Sequence, residues 1–255
     1  RKTNLIRGNK DRSMLINMLK VKNLTKYFGG VRALSNLSFE IGGSKVFGII
    51  GPNGSGKTTL FNVIMGIYSP DYGEIEFQGR SIKGLPPHKI CHLGITKTHQ
   101  TPRPFMNLTV LENLLVPLSV QSLEHEYAVD YALKILKLIG LDEAKDTYAG
   151  LLLPFQLRKL EIARALACRP KLLLMDEPAA GMRGREIDEM IEIINKIVRD
   201  MGVRVVLVDH RMELVTKVAE RIMVMHQGTK IFEGDPAEVL NSQVVIQVYL
   251  GSGIV

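Results

Sequence analysis

From Leu19 to Leu24 and from Ala33 to Ile41 apolar and polar residues alternate, which predicts half-buried strands, whereas Val46–Ile50 is apolar throughout and predicts a strand covered on both faces. Similar runs recur at Lys171–Glu177, Val203–Val208 and Arg221–Met225, with shorter strands expected at Glu74–Gly79, Gly94–Gln100 and Lys230–Phe232. Between Thr109 and Ala167 the period becomes helical, through Val110–Leu115, Tyr127–Ile139 and Leu157–Leu166. Further helices are expected at Thr58–Ile67 and Ile187–Val198. Strands interrupted by a block of helices predict an α/β domain carrying an all-helical insert. Thr101-Pro102-Arg103-Pro104 ends regular structure after Gln100 and marks a hinge candidate.

Composition narrows the class without deciding it. The 255 residues suffice for a sizeable core, and a net charge of +7, concentrated in the first 22 residues, permits anionic partners without requiring them. No apolar run reaches the length of a membrane helix. The segment before Met18 reads as a basic tail, with Met14 and Met18 as candidate starts. Cys91 and Cys168 look too few and too isolated for a disulfide framework or a metal site, and read as bystanders.

The chemistry concentrates in Gly51-Pro52-Asn53-Gly54-Ser55-Gly56-Lys57-Thr58-Thr59, between the Val46–Ile50 strand and a helix. Glycines let backbone amides wrap phosphate oxygens, Lys57 brings charge to the terminal phosphates, and Thr58 offers a hydroxyl to Mg²⁺. Asp176 and Glu177 end a buried strand, where ligands of open α/β sheets bind. Asp176 is expected on the Mg²⁺ and Glu177 on the attacking water. His210, at another strand end, is expected to face the γ-phosphate, and Gln100 to ligate Mg²⁺ or hold the water. Phe28, or Tyr27 beside it, either stacks on an adenine or packs at a strand end.

In this order the motifs resemble the ATP-binding subunits of ABC transporters, from Met18 to Gly251. Gln100–Pro104, Leu108–Leu115, Leu160–Leu166, Asp176–Met182 and Val248–Gly251 are similar to the branched-chain amino acid importer ATPases. The resemblance implies a P-loop NTPase core with an antiparallel β-subdomain and an inserted all-helical subdomain. Its expected divisions are a basic extension over 1–17, a nucleotide-binding core over 18–100 and 168–235, a permease-contacting helical subdomain over 101–167 and a helical tail over 236–255. It implies ATP and Mg²⁺ as cofactors, ABC permease subunits and a second ATPase subunit as partners, an indirect solute-binding protein, and a peripheral place on the cytoplasmic face of the membrane. No nucleic acid is expected.

Two departures stand out. The family signature, which would face the partner's ATP, falls on Leu153, Pro154, Phe155 and Gln156 and lacks its glycine, predicting reduced activity. Arg183 stands where the family usually has Asp or Asn. The damaged signature keeps open a nucleotide-binding pseudo-ATPase, and the charge a soluble ABC protein acting on nucleic acid or ribosomes. A small GTPase is disfavoured, because Asn195-Lys196-Ile197-Val198 lacks the aspartate of a guanine-reading motif.

Overall fold

The computed structural model describes residues 17–121 and 123–250. The basic tail up to Ile16, including Met14, and the final Gly251 of the tail motif lie outside those residues. A hairpin of β1 (Leu19–Phe28) and β2 (Val31–Ile41) leads to β3 (Val46–Ile50), α1 (Lys57–Ile64), β4 (Tyr72–Phe77), β5 (Arg80–Ser81), α2 (Pro87–Leu93) and β6 (Ile95–Lys97). The helical block follows as α3 (Val110–Ser119), α4 (His125–Ile139) and α5 (Pro154–Ala167). The chain then runs through β7 (Leu172–Asp176), α6 (Arg185–Met201), β8 (Arg204–Val208), α7 (Met212–Val218), β9 (Arg221–His226), β10 (Thr229–Gly234), α8 (Pro236–Asn241) and α9 (Gln243–Leu250).

The strands form a sheet of order β2-β1-β4-β5 and a larger one of order β10-β9-β3-β8-β7-β6. The first is antiparallel; in the second β9, β3, β8, β7 and β6 run parallel and β10 pairs antiparallel. All of β3 is buried because opposite faces serve two cores: Phe47 and Ile49 pack with the antiparallel sheet and α1, while Val46 and Ile50 pack with the helical block. This sandwich is why the run is apolar without alternation. Parallel alignment gathers the carboxyl ends of β3, β7 and β8 at one rim.

The boundaries differ from expectation at two informative places. β6 stops at Lys97, not Gln100: Thr98 N–H makes the last backbone bond to β7, to Leu174 O at 2.9 Å, and the His99 backbone turns to α5 side chains instead. Helix α5 begins at Pro154, ahead of the expected Leu157, because proline at the first helical position lacks only an amide that would be unpaired there. Gln156 Oε1 also accepts the Leu153 amide at 2.9 Å.

The cysteines require a correction as well. Cys91 of α2 and Cys168 at the end of α5 interact thiol to thiol on the wall of one open cavity of about 420 Å³. The interaction draws the Cys91 thiol down to about 7 against the effect of burial. Their separation along the chain hid this adjacency, which folding of α5 against the β6 side of the core creates.

Candidate active site

The cradle is a loop that cannot take side chains at its packed glycines. A Cβ on Gly51 would lie 2.1 Å from Met225 O of β9, and one on Gly56 would lie 2.6 Å from Ala33 O of β2. The loop is thereby wedged between both sheets, and α1 starts at Lys57 directly behind it. Lys57 is buried, and its Nζ donates to Gly51 O (2.8 Å), Pro52 O (2.9 Å) and Ser55 Oγ (3.2 Å). Burial lowers its pKa, while the charges of Glu177, Asp176 and Asp209 oppose that shift.

Those carboxylates form the facing wall. Asp176 closes β7 with one oxygen 3.0 Å from Lys97 Nζ, which also donates to Asn62 of α1 at 2.9 Å. Its other oxygen, Oδ1, is buried without a hydrogen-bond partner among the described residues. An orphaned carboxylate oxygen beside a phosphate cradle is the donor chemistry Mg²⁺ takes. Glu177 follows in left-handed backbone, φ 48°, uncommon for a residue with a side chain. Its amide donates to Val208 O of β8 at 2.7 Å, so the turn is anchored to the sheet.

The structure brings three predicted residues together here. Gln100 Nε2 donates to Glu177 Oε2 at 2.8 Å, and His210 Nδ1 stands 4.0 Å from the same oxygen. His210 is half exposed, leaving a face free for a ligand. Thr58 is exposed in the first turn of α1. Phe28 lies opposite Val31 at the hairpin tip, just before the Ala33 carbonyl that abuts Gly56; its ring meets Tyr68 edge-on at 5.1 Å, with the Lys26 ammonium 5.4 Å away. Leu153, Pro154, Phe155 and Gln156 start α5, where their hydrogen bonds are local and Phe155 packs under the Lys159 ammonium at 5.2 Å. Arg183 is exposed before α6, its amide on Glu186 Oε2 at 3.4 Å.

Sequence reasoning overlooked several contributors. Asp209 is fully buried, accepts the amides of Ala179 (3.2 Å) and Arg211 (2.9 Å), and so fixes the turns after both Glu177 and His210; burial raises its pKa. An acid directly after an all-apolar strand was the signal. Lys97, a cation inside a short apolar strand, was another. Tyr249 of α9 lies near the Gly51 backbone, and burial pushes its hydroxyl up to about 12.

A glycine-wrapped lysine at the end of a parallel strand, faced by an Asp-Glu pair and a strand-end histidine, with an antiparallel subdomain and a helical insert, defines an ATP-binding cassette with ATPase chemistry. A sequence profile described as "ABC transporter" matches residues 34–180, and one described as "Branched-chain amino acid ATP-binding cassette transporter" matches residues 229–255. The chain belongs to the branched-chain amino acid family of ABC transporter ATP-binding proteins. It is 39% identical over 247 residues to "Probable branched-chain amino acid transport ATP-binding protein LivG" of Archaeoglobus fulgidus, covering 92% of this chain and 96% of that one. To the high-affinity branched-chain amino acid transport ATP-binding protein BraF of Pseudomonas aeruginosa it is 37% identical, covering 92% and 98%. A crystal structure of an ABC transporter cassette in its ADP conformation superposes with a TM-score of 0.82 at 33% identity, covering 92% and 99%. The expected loss of activity from the glycine-free signature is not borne out, since the ABC transporter profile spans that stretch within residues 34–180. Nothing in these comparisons favours the pseudo-ATPase or nucleic-acid alternatives.

Proposed function

We propose that this chain hydrolyses ATP to drive a permease that imports branched-chain amino acids. The observation that carries the reading is the Gln100–Glu177–His210 group, with Gln100 Nε2 at 2.8 Å and His210 Nδ1 at 4.0 Å from one Glu177 oxygen, on the rim shared with the cradle. Cradle amides and Lys57 hold the phosphates; Lys57 exchanges its loop carbonyl partners for phosphate oxygens, a stronger charge-assisted pairing. Phe28 covers the adenine. Thr58, Gln100 and the free Oδ1 of Asp176 would hold Mg²⁺. When bound, that ion would offset the charge of the phosphates. Glu177 orients the attacking water and accepts its proton, Gln100 fixes the carboxylate, and His210 donates toward the γ-phosphate.

The start of α5, Leu153–Gln156, is assigned to the ATP of a second ATPase subunit. Helix N-termini favour anions, and Leu153 at the start is largely exposed. The insert, 101–167, is assigned to the permease, and the core to 18–100 and 168–235. Among the described residues no helix is long and apolar enough to cross a membrane. By likeness to branched-chain amino acid transport ATP-binding proteins, the chain is assigned as a peripheral subunit on the cytoplasmic face, with selectivity in permeases and a solute-binding protein. Reconstituting it with its permeases and binding protein in vesicles tests the reading: ATP should drive uptake of labelled leucine, isoleucine or valine. ATP-driven uptake that excludes all three would overturn the solute.

A further inference from the structure

Cys91 and Cys168 have no part in the nucleotide site, yet the backbone brings them together. Gly94, which caps α2, accepts the Lys171 amide at 2.8 Å and the Leu172 amide at 3.0 Å on its carbonyl. Gly94 stands three residues after Cys91, and Lys171 three residues after Cys168, so the last turns of α2 and α5 run into one shared junction. Both thiols are free and half-buried, and both line the same open cavity of about 420 Å³. Among the described residues no group of three metal-binding side chains forms, so the pair is not part of a metal centre. The two sulfurs are unequal. Cys168 donates weakly to Arg164 O at 3.7 Å, and its hydrogen bond to Cys91, then burial, hold its thiol above the ordinary range. The same hydrogen bond draws Cys91 down to about 7, so Cys91 ionises first and is the better nucleophile near neutral pH.

We propose that Cys91 and Cys168 are a peroxide-reactive pair, Cys91 the attacking sulfur and Cys168 the resolving one, and that the disulfide they form ties α5 to α2. An exposed, readily ionised thiol beside a second cysteine is the arrangement that hydrogen peroxide oxidises reversibly. The Cys91 thiolate attacks one peroxide oxygen and the O–O bond breaks; with one proton taken up, a water leaves and the sulfur becomes a sulfenic acid. The Cys168 sulfur then attacks Cys91, the S–O bond breaks, and the hydroxyl leaves as a second water with the Cys168 proton. Two thiols have lost two electrons and two protons, and one peroxide has become two waters. Because both sulfurs are held on one wall, the second step is intramolecular and outpaces further oxidation of Cys91. The bond joins a helix that feeds edge strand β6 to a helix of the insert, so it fixes the helical block against the core.

Peptide mapping and ATPase assays on the full-length chain test it, with wild type, Cys91→Ser and Cys168→Ser reduced, freed of reductant and treated with hydrogen peroxide. In wild type the tryptic peptides 90–97 and 165–171 should appear joined and short of two hydrogens, within a monomeric chain, and should separate again with dithiothreitol. C168S keeps the attacker without its resolver, so Cys91 should be trapped as a sulfenic acid and captured by dimedone. The joined wild type should hydrolyse ATP about tenfold more slowly than the reduced protein and recover with dithiothreitol, while peroxide leaves C91S turnover unchanged. No joined peptide in wild type, a joined peptide confined to cross-linked dimers, or dimedone capture at Cys168 of C91S but not at Cys91 of C168S overturns the pair. A fully joined wild type with undiminished turnover overturns the tie between α5 and α2. The wild-type map decides the chemistry even where a serine variant fails to fold. If no preparation hydrolyses ATP, the hydrolytic reading fails while the map still decides the pair.

Discussion

Two halves of the site meet at Glu177, and they are held by different means. The carboxylates stand at the end of β7 in the parallel sheet, with Asp176 registered opposite Val208 and the Glu177 amide, just past the strand, bonded to the Val208 carbonyl. Gln100 comes from a segment beyond edge strand β6, whose backbone is held by arginine and glutamate side chains of α5. A central ladder repeats its constraint at every residue and moves only with the sheet. Side-chain clamps transmit the motion of the helix that bears them. One half is therefore a fixed reference and the other an adjustable arm, an arrangement suited to a site that must be competent in one state and idle in another.

The sharpest way to break the comparison is to remove the function of the fixed half while keeping its shape. Glu177→Gln preserves an acceptor for Gln100 but cannot take a proton. Hydrolysis should fall by about 10²–10⁴-fold, measured as phosphate release, while a fluorescent nucleotide binds as before. A variant that loses binding and turnover together would show that Glu177 acts in holding the nucleotide.

Much of the fixed half was legible in the sequence, and little of the arm was. Val46–Ile50 and Leu172–Asp176 announce themselves because burial on both faces removes every polar residue from a central strand. The cradle is legible because close packing leaves Gly51 and Gly56 no substitute. By contrast Arg158, Glu161 and Arg164 look like the solvated face of an amphipathic helix. Their spacing of three was visible, but charges on a helix name no partner until the chain returns beside them. The Cys91–Cys168 contact was hidden for the same reason, since it depends on how the insert closes against α2. The signature misled because a missing glycine was weighed as missing chemistry, whereas Pro154 starts α5 without it.

Stability offers the next test, again on the fixed half. Lys97 and Asp176 form an ion pair whose side chains are 8% and 1% exposed. Lys97→Met strands the Asp176 charge, and breaking one partner of such a pair costs about 3–5 kcal/mol. Urea unfolding should show the loss, and Mg²⁺ with nucleotide should restore part of it if Asp176 Oδ1 meets the ion. No restoration would remove Asp176 from the metal site.

The arm should instead betray itself in acid. Burial pushes the Glu161 carboxyl up, but hydrogen bonding from His99 and the charges of His99 and Arg164 outweigh it and hold its pKa below the ordinary glutamate value. A lowered folded pKa means stability that is fully present above the unfolded value. It is lost as pH falls below about 4.3 and through the folded pKa. Thermal melting of the wild type should therefore lose its advantage over Glu161→Gln across that interval, from about 1–3 kcal/mol at pH 7. Parallel acid profiles for the two proteins would mean that Glu161 does not hold the arm as a charge.

The smallest effect expected tests whether the fixed half is as self-contained as the ladder suggests. The Gly51 amide opens the cradle, and the Tyr249 hydroxyl lies near it, on a helix packed against β10 and α8 at the far end of the chain. Tyr249→Phe keeps the ring and removes the hydroxyl; a neutral hydrogen bond to it from the Gly51 amide would be worth about 0.5–1.5 kcal/mol. Because that contact sits at the root of the loop, the energy should appear in nucleotide affinity, weakened by about 2–10-fold, with the melting temperature of the nucleotide-free protein hardly changed. A lower melting temperature with intact affinity would confine α9 to packing, and the cradle would then be held by the strands alone.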